Sequence, residues 1–220
     1  MERDASLFAV THRVFLLSPA SCAGSRCGLL LEPRAAFELA LRMRREGAPL
    51  GEVMSFMSAL YFRGKLTYAR RFATPPAGAP GVLVITPDRG LASPDTTIKL
   101  RDLRAFARVP IDADELRYTT PLRRDAQRLR AQLPEAAEIV LLGSIATPKY
   151  VDVLIAACGR TLRFPSEFVG RGDMSRGGLL LRSARAGVEL SYERVDGAER
   201  RGPRAAKLSS LPDALQQRGR

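Results

Sequence analysis

The sequence predicts an α/β fold: a mostly parallel central sheet flanked by helices, with an antiparallel strand at one edge. Three observations carry this. Val14-Phe15-Leu16-Leu17, Val82-Leu83-Val84-Ile85 and Ile139-Val140-Leu141-Leu142 are short, wholly apolar runs, the pattern of strands buried on both faces. Stretches with helical spacing of apolar residues lie between them. Val188 to Val195 alternates instead, through Val188, Leu190, Tyr192 and Arg194, as a half-exposed edge strand does.

The elements follow in order. The first strand stops at Ser18-Pro19, and residues 18–26 form a small, polar loop. Pro33 to Arg45 has helical spacing and ends at Gly47. A longer helix starts at Pro49, with Val53, Phe56, Met57, Leu60 and Tyr61 on one apolar face, and Gly64 breaks or kinks it. These aromatics read as core rather than as a base-stacking platform. Residues 74–81 are a linker, and the second strand at 82–85 runs into a long loop over 86–97. Ala105 to Ile111 is a candidate third strand, and Pro121 to Leu133 a helix with Arg123, Arg124, Arg128 and Arg130 on its solvent side. After the strand at 139–142, Thr147 caps a helix with Pro148 at its first position, running to Cys158. Leu162-Arg163-Phe164 is a short strand. Gly170 to Gly178 is a glycine- and arginine-rich loop in which Asp173 or Ser175 caps a helix through residues 179–184. Gly177 and Gly178 then fall inside a helix, where each costs about 1 kcal/mol relative to Ala.

A single α/β domain is expected over residues 1–195. A basic, partly disordered tail over 196–220 carries Arg200, Arg201, Arg204 and Lys207. Net charge is +12, and among 35 basic residues only Lys65, Lys99, Lys149 and Lys207 are not arginine. Guanidinium forks suit phosphate, so nucleic acid or a phosphorylated ligand is the first partner to consider. The same arginine content also suits a GC-rich coding sequence. Three cysteines form no disulfide framework and fit a reducing compartment. Leu7-Phe8-Ala9-Val10 is too short for a secretory segment and no apolar run approaches membrane-spanning length, so the chain reads as cytoplasmic with no membrane partner.

Several chemistries fail on residue type. The loop 143–150 joins strand to helix as a phosphate-binding P-loop does, but Pro148 stands where glycine is needed and Tyr150 where a hydroxyl residue must reach the metal. His12, the only histidine, sits at the start of a strand and does not make a Ser-His-Asp site. Cys22, Cys27, Cys158 and His12 lack zinc-ligand spacing, and no dinucleotide fingerprint follows a strand. No cofactor and no metal are expected. Cys22, beside Gly24 and Arg26, is either a thiol of lowered pKa or a small buried hydrophobe.

Four loops remain: 18–26, 86–97, 143–149 and 170–178. In a parallel sheet three of them converge at the carboxyl edge and frame one polar pocket for an anionic or nucleobase-like ligand.

The same loops resemble the YaaA peroxide-stress family. The residues are Leu17-Ser18-Pro19-Ala20, Thr86 to Leu91 followed by Pro94-Asp95, Gly143-Ser144 with Lys149-Tyr150-Val151, and Arg171-Gly172-Asp173-Met174-Ser175-Arg176. They fall in the family's order. Arg89 stands where an aromatic residue is usual, and Thr147-Pro148 replaces an acidic pair. The resemblance implies a YaaA-like or glycosylase-like fold with a positively charged cleft, DNA binding more than RNA binding, and protection from oxidative damage. Phosphate or nucleic-acid contacts are then expected from Ser18, Ser21, Arg26, Arg89, Ser144, Lys149, Arg171, Ser175 and Arg176. The alternative is an enzyme acting on a nucleoside, ribosyl or phosphorylated substrate, with Asp88 or Asp173, or else Asp95, as acid, base or nucleophile.

Overall fold

The computed structural model describes residues 11–203, 205 and 208. In chain order, β1 (Arg13–Leu17) leads through α1 (Ser25–Leu31), α2 (Glu38–Arg45) and β2 (Ala48–Pro49) into the long helix α3 (Leu50–Phe72). Next come β3 (Val82–Thr86), β4 (Gly90–Ala92), β5 (Thr97–Ile98), α4 (Leu100–Ala107) and α5 (Leu116–Gln132). β6 (Glu138–Leu142), α6 (Pro148–Cys158), β7 (Leu162–Pro165), α7 (Asp173–Ala186) and β8 (Tyr192–Arg194) follow.

β1 is the centre of a six-stranded sheet of order β4-β3-β1-β6-β7-β8. It pairs in parallel with β3, Phe15 opposite Val82, and with β6, Val14 opposite Ile139. β7 continues the parallel set beyond β6, while β4 and β8 run antiparallel at the two edges. β2 and β5 make a separate antiparallel pair. The apolar runs are explained by what covers them. Phe15, Leu17, Val84, Val140 and Leu142 face a core shared with α1 to α4 and α7. Val14, Leu16, Ile85, Ile139 and Leu141 face α5 and α6. With helices on both sides these runs are apolar at every position, and polar residues of the same strands, Arg13, Thr86 and Glu138, stand at the strand ends.

α3 and α7 pack closest where two glycines meet. A Cβ on Gly64 would stand 2.7 Å from the Gly177 carbonyl oxygen, and one on Gly177 would stand 2.9 Å from the Leu60 oxygen. This contact accounts for glycine inside α7. It also corrects the expected break at Gly64: α3 runs on, and its kink is at Ala59, with φ 45° and ψ −117°.

Other elements also differ from expectation. Residues 105–111 are not a strand, because Leu103 and Phe106 face the core one helical turn apart and the Asp102 carboxylate accepts from the Lys99 N–H at the start of α4. The loop expected over 18–26 gives way at Ser25 to α1, which buries Cys27 and Leu30. α5 begins at Leu116, ahead of Pro121, and buries Tyr118, Leu122, Ala126 and Leu129. The cap of α7 is Gly172 rather than Asp173 or Ser175, so Asp173 lies in the first turn with its carboxylate 3.6 Å from Arg176. Thr147 and Pro148 open α6, and β8 forms an antiparallel edge.

At the amino end of the sheet the Glu138 carboxylate is held by Arg13 at 2.9 Å and Arg163 at 2.7 Å. Arg13 also reaches Glu189 at 2.7 Å. Beyond β8, Arg200 pairs with Asp152 at 3.0 Å and the Ala205 N–H donates to the Gly170 carbonyl. Leu7 to Val10, Arg204, Lys207 and residues 209–220 of the expected tail lie outside the described residues. No helix among the described residues is long and apolar enough to cross a membrane.

Candidate ligand pocket at the strand ends

β1 and β6 are neighbours, but the chain leaves them toward opposite faces, through α1 to α3 and through α6. Their carboxyl ends therefore flank a crevice, the usual ligand position in an open α/β sheet. A cavity of about 700 Å³ occupies it. All four loops singled out in the sequence contribute: residues 18–24 after β1, Pro87 after β3, Ser144, Thr147 and Lys149 after β6, and Asp173 at the start of α7. α3 adds Ser58 and Tyr61 from either side of its kink, and α4 adds Phe106 and the segment 107–111.

Gly143 lets the walls meet. A Cβ there would stand 2.9 Å from both the Ser18 Cβ and the Tyr150 hydroxyl. The Ser18 N–H donates to the Leu142 carbonyl, tying the exit of β1 to that of β6. Burial raises the pKa of Tyr150, and the neighbouring Ser18 side chain and Ser144 backbone lower it by less.

Lys65 lies behind Ser18, fully buried in α3. Its Nζ donates to the Ser18 carbonyl at 2.5 Å and to Ser18 Oγ at 2.9 Å. The amine sits 4.4 Å from the Tyr61 ring centre and 4.9 Å from that of Phe62. Burial pulls its pKa down to about 7, against a rise from Asp173 and with a further lowering from Arg176. The Tyr61 hydroxyl is buried with no hydrogen-bond partner among the described residues, and the nearby Arg176 guanidinium partly offsets the upward push of burial on its pKa.

The pocket brings together Ser18, Ser21, Ser144, Lys149 and Asp173 of the expected site residues. Ser21 Oγ accepts from the Ala23 N–H at 3.2 Å. The others lie elsewhere. Arg26 donates to the Phe56 carbonyl at 3.1 Å. Arg89 bridges Asp88 and Asp102 over the Phe106 ring, so Asp88 is engaged by its own neighbour. Arg171 donates to the Glu167 carbonyl and to Ser175 Oγ. Arg176 is buried and donates twice to the Phe168 carbonyl, at 3.2 and 3.0 Å. Asp95 pairs with Arg70 on the surface. The Cys22 thiol lines the pocket with its pKa raised, not lowered, by its hydrogen bond to Cys27, then by burial.

Sequence reasoning missed Lys65, Tyr61 and Tyr150 as site residues. Lys65 left one trace: it stands four residues after Tyr61 and eight after Met57, a charge in register with an apolar stripe. Among the described residues no group of three or more His, Cys, Asp or Glu is placed to hold a metal ion. No protein-family model, curated protein or solved structure matches the chain.

Proposed function

We propose that the strand-end cavity binds a nucleotide, free or as an unstacked unit of DNA or RNA, in a nucleic-acid-associated protein. The observation that carries this reading is the mixed lining of the cavity. Ser144, Thr147 and the exposed Lys149 stand at the amino end of α6, where free N–H groups and the helix dipole favour a phosphate. Met57, Tyr61, Phe106, Val109 and Ile111 add apolar surface that suits a base. A volume of about 700 Å³ is within the roughly 300–1,000 Å³ of small-molecule sites. The likeness to the YaaA peroxide-stress family supports the same reading and adds a role in oxidative stress, with DNA ahead of RNA. Arg171 and Arg176, both engaged with the protein's own carbonyls, are not the phosphate ligands in this scheme.

Titration with mononucleotides and short single-stranded oligonucleotides at low salt tests the proposal. Saturable binding, weakened about tenfold by Lys149→Ala as expected for a lost charge-assisted contact, supports it. Absence of binding to either ligand at low salt overturns it.

A second reading has one observation in its favour. Asp173 reaches the same cavity with a largely exposed carboxylate, where it could serve as acid or base toward a nucleoside, ribosyl or phosphorylated substrate.

A further inference from the structure

We propose that Ser18 is a nucleophile and Lys65 its general base, forming a Ser–Lys dyad that cleaves carboxylic esters at the floor of the cavity. The geometry is that of an activated nucleophile. Ser18 lines the cavity floor, 6% exposed, and Lys65 lies behind it with Nζ 2.9 Å from Oγ. The second contact of the amine, 2.5 Å to the Ser18 carbonyl, fixes its orientation. A neutral amine has two N–H groups and one lone pair. The charged amine donates to both Ser18 oxygens; once it has lost a proton, one N–H stays on the carbonyl and the lone pair takes the place of the bond to Oγ, ready to accept the Ser18 hydroxyl proton.

The surroundings favour the neutral amine. Lys65 lies against the Tyr61 and Phe62 rings of α3, and among the described residues no carboxylate pairs with it directly. Asp173 and Arg176 of α7 act on it with opposite sign. Tyr150 of α6, whose hydroxyl approaches Gly143 from the same side as Ser18 Oγ, stays protonated through burial. Arginine in the same position would keep its proton and could not act as a base.

The reaction balances without a cofactor. Ser18 Oγ bonds to the ester carbonyl carbon as its proton passes to Lys65 Nζ. The bond from carbonyl carbon to alcohol oxygen breaks, and the alcohol leaves with the proton from Lys65. Water then adds to the Ser18 ester, giving a proton to Lys65, and the acid departs as Ser18 recovers that proton. None of this requires nucleotide binding, so the two proposals fail separately.

The test treats the purified full-length chain with a fluorophosphonate probe and locates the adduct by peptide mass spectrometry. Hydrolysis of p-nitrophenyl acetate is followed in parallel from pH 5 to 9. The expected result is labelling at Ser18, lost in Ser18→Ala, with a rate rising through one inflection near 7. Lys65→Arg and Lys65→Met should each slow labelling about 100-fold, the low end of general-base contributions. Where those variants do not fold, the wild-type pH profile decides. No adduct at Ser18, unchanged labelling in a folded Lys65→Arg protein, or a profile without an inflection between 6 and 8 overturns the proposal.

Discussion

Gly64 of α3 packs on the backbone of Gly177 of α7, and Gly177 in turn packs on the backbone of Leu60 and Tyr61. A Cβ on Gly64 would lie 2.7 Å from the Gly177 carbonyl oxygen and 3.1 Å from its Cα. Both obstacles are main chain, which cannot swing aside as a side chain does. The crossing sits beside Tyr61, which lines the cavity, and one residue from Lys65.

Gly64→Ala and Gly177→Ala should each cost about 2 kcal/mol, the overpacking of a filled contact. Gly178→Ala is the control, because its Cβ would meet only Leu208 Cδ1, at 3.6 Å. There the gain in helix propensity should stabilise the fold by up to about 1 kcal/mol. Urea unfolding of the three variants checks the contrast. A loss at position 178 equal to those at 64 and 177 would refute the contact argument.

Ala59 has φ 45°, the one positive value outside glycine among the described residues. A side chain there costs about 1–3 kcal/mol, and glycine removes most of it. Ala59→Gly should raise the urea midpoint by an amount equivalent to about 1 kcal/mol. A lowered midpoint would mean that the kink carries no strain.

Lys65 makes stability depend on pH in a definite direction. Its pKa falls from 10.5 to about 7 on folding. Below 7 the amine is charged in folded and unfolded chains alike, and the burial cost is fully present. Between about 7 and 10.5 the unfolded chain keeps a proton that the folded chain has shed, so stability rises with pH across that window. Lys65→Met removes the effect. The stability of wild type relative to the variant should therefore increase from pH 6.5 to 9.5 in chemical denaturation, and parallel profiles would contradict the assignment.

Glu138 joins Arg13 of β1 to Arg163 of β7 across β6. Its side chain is 17% exposed and that of Arg13 14%, so water does little to replace the lost partners. Glu138→Ala should cost about 2 kcal/mol, the value of a partly buried charged hydrogen bond. Thermal unfolding at low and high salt measures it. A surface pair would lose its effect in salt, and this one should not.

The fold was legible where a run of residues has only one stable environment. Val14-Phe15-Leu16-Leu17 and Ile139-Val140-Leu141-Leu142 can be neither loops nor half-exposed strands, so the sheet and the strand-end crevice follow from them. α4 was not legible, because Ala105-Phe106-Ala107 reads apolar in any conformation. Its helical sense comes from Leu103 one turn earlier and Asp102 at the cap. The site was legible in its loops and illegible behind them. Lys65 and Arg176 are basic residues of a type usually found in solvent, yet both are buried and satisfied by main-chain carbonyls of Ser18 and Phe168. No local pattern distinguishes such a guanidinium from one that waits for phosphate. The glycine in α7 was visible as an anomaly, but its partner Gly64 resembled a helix break.

The sheet's short borders bear on how the protein behaves in a crowded solution. β4 and β8 are three residues long, and each reverses the direction of the four strands between them. A strand arriving from a second molecule would meet exposed Glu193 and Arg194 on one side. On the other it would find β4 beneath α5, with the Leu91 N–H already given to Asp125. Such borders offer no template for lateral growth. The wholly apolar strands, which alone would knit into fibres, are confined to positions that no other molecule can reach.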